Sequence, residues 1–132
     1  MPLFQNPPSV APPDGQFSQL ARVAAGSDLL FLSGQVPRDA HGDTVGDGDM
    51  TRQATQVFEN LAALLATHGC GFADVAKATL FVTDTARIPE LMAVRSRFYG
   101  SAAPASTLAV VAALGDPRWL LEVEMIAVVP AR

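Results

Sequence analysis

An α+β domain is what this sequence predicts, with elements in the order β-β-α-β-α-β-β and two helices on one face of a mixed sheet. Three observations carry that reading. Two segments place apolar residues at helical spacing: Val57, Phe58, Leu61, Leu64 and Leu65 in the first, Leu91, Val94 and Phe98 in the second. Five others alternate or run apolar as strands do. At 132 residues, 49% hydrophobic and 17% charged, the chain is long enough for one domain, 1–132, with a real core.

Residues 1–15 are rich in proline and read as an extended N-terminal segment. Phe17 to Ala24 follows as a strand, and Gly26-Ser27-Asp28 turns it into Leu29 to Ser33, a hairpin by its spacing. Pro37 to Gly48 is a loop rich in Gly and Asp. Its Gly46-Asp47-Gly48 lacks the Lys-Ser/Thr of a phosphate-binding loop. Asp49 is a fitting N-cap for a helix to about His68, stopped by Gly69. Val75 to Val82 alternates as a strand. After Thr83-Asp84 a second helix starts near Pro89, where a first-turn proline is tolerated, and ends at Gly100. Thr107 to Ala112 and Leu120 to Val129 complete the strands, joined through Gly115-Asp116-Pro117.

Two helices cover only one face of such a sheet, yet the third strand is apolar in both phases, with Ala78, Leu80 and Val82 against Val75 and Phe81. The second face therefore needs a partner, and symmetric self-association is the simplest supply. A positive mean hydropathy without a membrane-spanning run points the same way. The N-terminus lacks the basic start and apolar centre of a signal peptide, so the expected compartment is the cytoplasm and no membrane contact is expected.

A net charge of -4 with nine scattered basic residues argues against nucleic acid as a partner, since phosphate binding needs clustered Lys and Arg. The single cysteine, Cys70, has no second thiol for a disulfide and reads as a small buried filler past a helix end. His41 and His68 have no neighbours at metal-ligand spacing.

Chemistry concentrates in two apolar strands that carry polar groups. In the last strand, alternation puts Glu122 and Glu124 on one face with Leu120, Ile126 and Val128. A carboxylate among aliphatics must be paired, solvated or raised in pKa, and the last outcome suits a general acid or base near neutral pH. Leu29 to Gln35 ends in Ser33-Gly34-Gln35, where the hydroxyl can hold a carboxylate or a water, or simply form a turn.

Phe17-Ser18-Gln19, Ser33-Gly34-Gln35, Gln56 in the first helix, the Asp84 turn, Pro104-Ala105 and Glu122-Val123-Glu124 occur in an order that resembles the RidA/YjgF family from about residue 11 to 129. The resemblance implies a chorismate-mutase-like fold, a homotrimer with clefts between subunits, no cofactor or metal, and hydrolysis of reactive enamines and imines such as 2-aminoacrylate. It maps the first-strand aromatic onto Phe17, the Ser-Gly pair onto Ser33 and Gly34, and the cleft carboxylate onto Glu122. Deaminating members carry an arginine two residues after the proline of Pro-Ala-Arg-Ser, pairing with the substrate carboxylate; this chain has Ser106 there. Where such members have Asn and, three residues later, Tyr on the second helix, this chain has Met92 and Arg95. It resembles the arginine-lacking branches.

Glu122 is thus the candidate catalytic residue, with Phe17, Ser33, Gly34, Met92, Arg95 and Ser106 as candidate ligand-binding residues. Arg95 can replace the missing arginine or sit in a surface ion pair; Met92 can line a site or fill the core. Glu124 reads as structural, and Arg118 as a loop cation packed on Trp119. Three functions follow: a cofactor-free deaminase of a small enamine or imine metabolite, a non-catalytic metabolite-binding trimer, and, weakest on this acidic chain, an endoribonuclease.

Overall fold

The computed structural model describes residues 1–131. Along the chain run β1 (Leu3–Gln5), β2 (Leu20–Arg22), β3 (Leu29–Gln35), α1 (Met50–Ala66), β4 (Val75–Val82), α2 (Ile88–Tyr99), β5 (Ala105–Val110) and β6 (Leu121–Val128). The helices begin where their capping chemistry says. The Asp49 carboxylate accepts from the Arg52 N–H at 3.1 Å, Pro89 sits in the first turn of α2, and α2 ends at Gly100 with φ 57°, a conformation glycine adopts without a Cβ penalty.

The main sheet has the order β3-β6-β4-β5, antiparallel except for the parallel β4–β5 pair. The last strand therefore inserts between β3 and β4 rather than forming a hairpin with β5. In β6 the alternation holds: Leu121, Val123, Met125 and Ala127 are buried under the helices, while Glu122 and Ile126 are half-buried and Glu124 exposed on the opposite face. Phe58 and Leu61 of α1 and Leu91 and Val94 of α2 meet Leu80 and Val82 of β4 in one core. Phe58, Phe72, Phe98 and Tyr99 cluster beside the helix pair with ring centroids 5.6–6.1 Å apart, Phe58 and Phe98 stacked and the other pairs tilted or edge-on. Leu64, placed on the apolar stripe by its spacing, is instead 39% exposed.

Two expectations are corrected. Phe17 to Ala24 and Leu29 to Ser33 do not form a hairpin: only Leu20–Arg22 is a strand, and it pairs with Leu3–Gln5 in a separate two-stranded sheet, while β3 pairs with β6. The reason lies in the N-terminal segment, which supplies a strand that local turn chemistry does not reveal. Val75 also does not share the open face with Phe81. A bulge between Val75 and Lys77 shifts the phase of β4 and returns Val75 to the core, fully buried.

Gln53 is the one fully buried polar side chain of α1. Its amide donates to the carbonyls of Gly46 (3.1 Å) and Arg118 (2.8 Å), and its Oε1 accepts from the Leu120 N–H (2.8 Å). The loop before α1 and the entry to β6 are thereby tied to one helix, two residues from Glu122.

Candidate functional site

A cavity of about 590 Å³ lies beside the edge strand β5, lined by Phe17, Met92, Arg95 and Ser106 together with Gln16 and Leu108. Each wall has a local cause. Ser106 and Leu108 stand opposite Ala78 and Leu80 in the parallel β4–β5 register, so they share the helix-facing side of the sheet. Met92, Arg95, Ser96 and Tyr99 form one stripe of α2 at i, i+3, i+4 and i+7. The third wall is pinned by Gln16 Nε2, which donates to the carbonyls of Gly100 (2.7 Å) and Ala102 (3.1 Å), and by Ser18 Oγ, which donates to Ala103 O at 2.6 Å.

Arg95 is the unusual group. It is only 6% exposed, and among the described residues it makes no ion pair or hydrogen bond, with Nε buried and unpartnered. Its Cζ lies 5.5 Å from the ring centroid of Tyr99, whose own hydroxyl is buried without a partner. Burial holds the guanidinium below its ordinary pKa, with Tyr99 opposing the effect. Burial likewise pushes the Tyr99 phenol up to about 12, against the pull of Arg95. Native proteins rarely leave a buried cation uncompensated, so this arrangement is suited to an anion that arrives from outside.

The other candidates lie on the open face of the sheet. Glu122 stands opposite Phe81 in the β6–β4 register, and on the far side it packs over Gly34 of β3. A Cβ on Gly34 would collide with Glu122 Oε2 and would lie 2.8 Å from Cδ and 3.0 Å from Cγ, so only glycine admits this approach. The Ser33-Gly34 pair is not a turn. It is the site of a register shift within β3, between Leu32 and Gln35. Around it the face stays uncovered: Phe31 is 73% exposed and Leu29 is also exposed.

The candidate residues therefore separate into two groups. Phe17, Met92, Arg95 and Ser106 line one cavity, whereas Ser33, Gly34 and Glu122 occupy the opposite side of the sheet, with β4 between β5 and β6. Within one chain they do not converge. Gln16, Ser96 and Tyr99 were not anticipated from the sequence; the stripe Met92-Arg95-Ser96-Tyr99 was a usable signal, obscured by the stronger apolar stripe of Leu91, Val94 and Phe98. Arg118 does not stack on Trp119. It forms a two-pronged ion pair with Asp116 (Nε–Oδ1 3.0 Å, Nη2–Oδ2 2.8 Å), which holds the Asp116 carboxyl down at about 2. Cys70 is buried beyond the end of α1, its thiol raised by burial and then by Asp74. Among the described residues no three His, Cys, Asp or Glu side chains converge as a metal site would require.

Residues 8–129 match the family model described as Endoribonuclease L-PSP. Protein DfrA of Myxococcus xanthus is 39% identical over 115 residues, 86% of each chain. The 2-iminobutanoate/2-iminopropanoate deaminase of Dermatophagoides farinae is 28% identical over 122 residues, 92% of each chain. Among solved structures, YyfB of Yersinia pestis, described as a protein of unknown function of the Rid family, superposes with a TM-score of 0.86 at 29% identity, covering 96% of this chain and 98% of that one.

Proposed function

The chain belongs to the Endoribonuclease L-PSP family, the RidA/YjgF group, and from that premise we propose that it hydrolyses a small imine or enamine metabolite, without a cofactor, at a cleft completed by a second copy of itself. The observation that supports this most is the separation of its polar groups. A carboxylate seated over Gly34 on an uncovered, aromatic-bearing sheet face and a cavity holding the unpaired Arg95 on the other side of the same sheet are two halves of a site. Symmetric association across the open face offers Glu122 of one subunit to the cavity of another, and it also buries Phe31 and Leu29. A homotrimer is the assembly the family resemblance implies.

In the reaction, an enamine is first protonated on carbon, taking one proton from the medium, to give the protonated imine. Water then adds to the imine carbon while Glu122 accepts a proton from it, forming a carbinolamine. The same carboxyl returns that proton to nitrogen; as the C–N bond breaks and ammonia leaves, the carbinolamine hydroxyl gives up its proton to the carboxylate and thence to the medium, which restores the proton taken up in the first step. One water is consumed, and a carbonyl compound and one ammonia are released. Ser33 is suited to hold the water, and Phe17 forms an apolar wall. The absence of an arginine at Ser106 favours a second reading, in which the trimer binds a metabolite without turning it over.

The test generates imines in solution from a panel of amino acids with an amino-acid oxidase and follows ammonia release. Acceleration by the native chain, abolished in Glu122→Gln with ligand binding retained, is the expected result. No acceleration for any imine leaves only the binding reading. Light scattering checks the assembly: about three times the chain mass of 13.8 kDa is expected, and a clean monomer at micromolar concentration refutes the shared cleft.

A further inference from the structure

We propose that Arg95 anchors the carboxylate of a ligand whose apolar chain lies along Phe17, Met92 and Leu108, so that the preferred metabolite is a 2-oxo or 2-imino acid with a side chain longer than those of three- and four-carbon acids. The inference rests on reading the cavity as the metabolite site. Three features carry it. Arg95 is 6% exposed, lines the cavity and makes no ion pair, not even with Asp14, the other charged residue of the lining, so an oxyanion bound there gives the guanidinium the partner it lacks.

The cation also comes from a different place. It projects from α2, over the Tyr99 ring, while Ser106 on β5 presents only a small hydroxyl. A carboxylate held from the helix leaves the space above Ser106 for the rest of the ligand. Finally, that space is large and mostly apolar. At about 590 Å³ it falls within the roughly 300–1,000 Å³ of small-molecule sites and exceeds what a three-carbon acid fills. Met92 is suited to accommodating chains of differing shape, since its thioether arm is unbranched and adaptable.

The experiment is calorimetric titration of the intact chain, in its native assembly, with sodium pyruvate, 2-oxobutanoate, 2-oxopentanoate and 2-oxohexanoate, and with the corresponding amides as neutral controls. Affinity should rise about fourfold for each added methylene, the value of burying one CH₂. Arg95→Gln should weaken all four acids by about 10- to 100-fold, keep the chain-length trend, and leave the amides unchanged. Met92→Ala should flatten the trend. Ser106→Arg should lose the longer acids first, because a second guanidinium fills their space.

Stability supplies an independent readout. Arg95→Met replaces an uncompensated buried cation with an apolar side chain of similar length, so its melting temperature without ligand should be equal to or above that of the native chain. A flat or falling chain-length trend, acid binding untouched by Arg95→Gln, or a lower melting temperature for Arg95→Met each overturns the proposal. If the acids bind as described but no imine is hydrolysed, the hydrolase reading fails and this one stands. If imines are hydrolysed and Arg95→Gln binds the acids normally, only this one fails.

Discussion

Replacing Gln53 with leucine should be among the most damaging single changes in this protein, although Gln53 touches no ligand. Leucine has nearly the same volume, so the cavity term is small and the cost is polar. The substitution strands the carbonyls of Gly46 and Arg118 and the N–H of Leu120, all three now satisfied by one amide at 2.8–3.1 Å in a fully buried position. Each lost bond is worth about 1 kcal/mol and each newly unpaired buried group costs about 1–3 kcal/mol. Partial relaxation of the two loops toward water brings the total to about 3–5 kcal/mol, a third or more of a typical domain's stability. For a chain of this length the unfolding entropy is roughly 0.3 kcal/mol/K, which converts the loss to about 10–18 °C in melting temperature. The assay is denaturant unfolding followed by circular dichroism at one fixed protein concentration, with the midpoint falling and the slope unchanged. Gln53→Glu, which keeps the acceptor and loses both donors, is expected to be no better than leucine, because it also buries a charge. A loss under about 1 kcal/mol for Gln53→Leu would show that the loops re-satisfy these groups without the amide.

Gly34→Ala should leave the fold intact yet displace Glu122, since its new methyl group occupies the place of the carboxylate; the proposed imine hydrolysis should fall at least tenfold while the proposed acid binding at Arg95 persists, and full activity would refute the contact. Tyr99→Phe should be neutral or slightly stabilising, because it removes a buried hydroxyl that has no partner and keeps the ring beneath Arg95. The same variant tests a pH effect: burial penalises the ionised Tyr99 phenol, so below pH 10 no stability is lost to it, and as pH rises from 10 through about 12 the unfolded chain ionises first and the fold loses up to roughly 3 kcal/mol. Native protein should lose stability over that window in alkaline melts and Tyr99→Phe should lose less; parallel curves would refute it.

How much of this was legible in the sequence depends on the range of the physics involved. Asp49 as N-cap, Gly69 and Gly100 as stops, and the bounds of β4 were readable because capping and alternation are set by neighbours a few residues apart. So was the division of β6 into a buried phase at Leu121, Val123 and Met125 and an open phase at Glu122 and Glu124, since successive strand residues must point to opposite faces. Family motifs placed the candidate residues but not their mutual geometry.

The rest belonged to tertiary structure. Pairing of Leu3–Gln5 with Leu20–Arg22, in place of a local hairpin, joins segments whose turn signals were silent. The shifts at Ser33-Gly34 and Val75–Lys77 arise only when two strands are laid side by side, because a bulge is a mismatch between partners and not a property of either chain segment. The burial of Arg95 is of the same kind. Its place on α2 could be read from the sequence, but whether a guanidinium finds an anion, water or neither depends on what the β5 edge and residues 14–17 bring against it. By composition and periodicity the sequence determined one α+β domain with a helix-covered face and an uncovered one. Only the folded chain decided that the carboxylate and the cation stand on opposite sides of that sheet, because sidedness is local while convergence is a long-range outcome of packing.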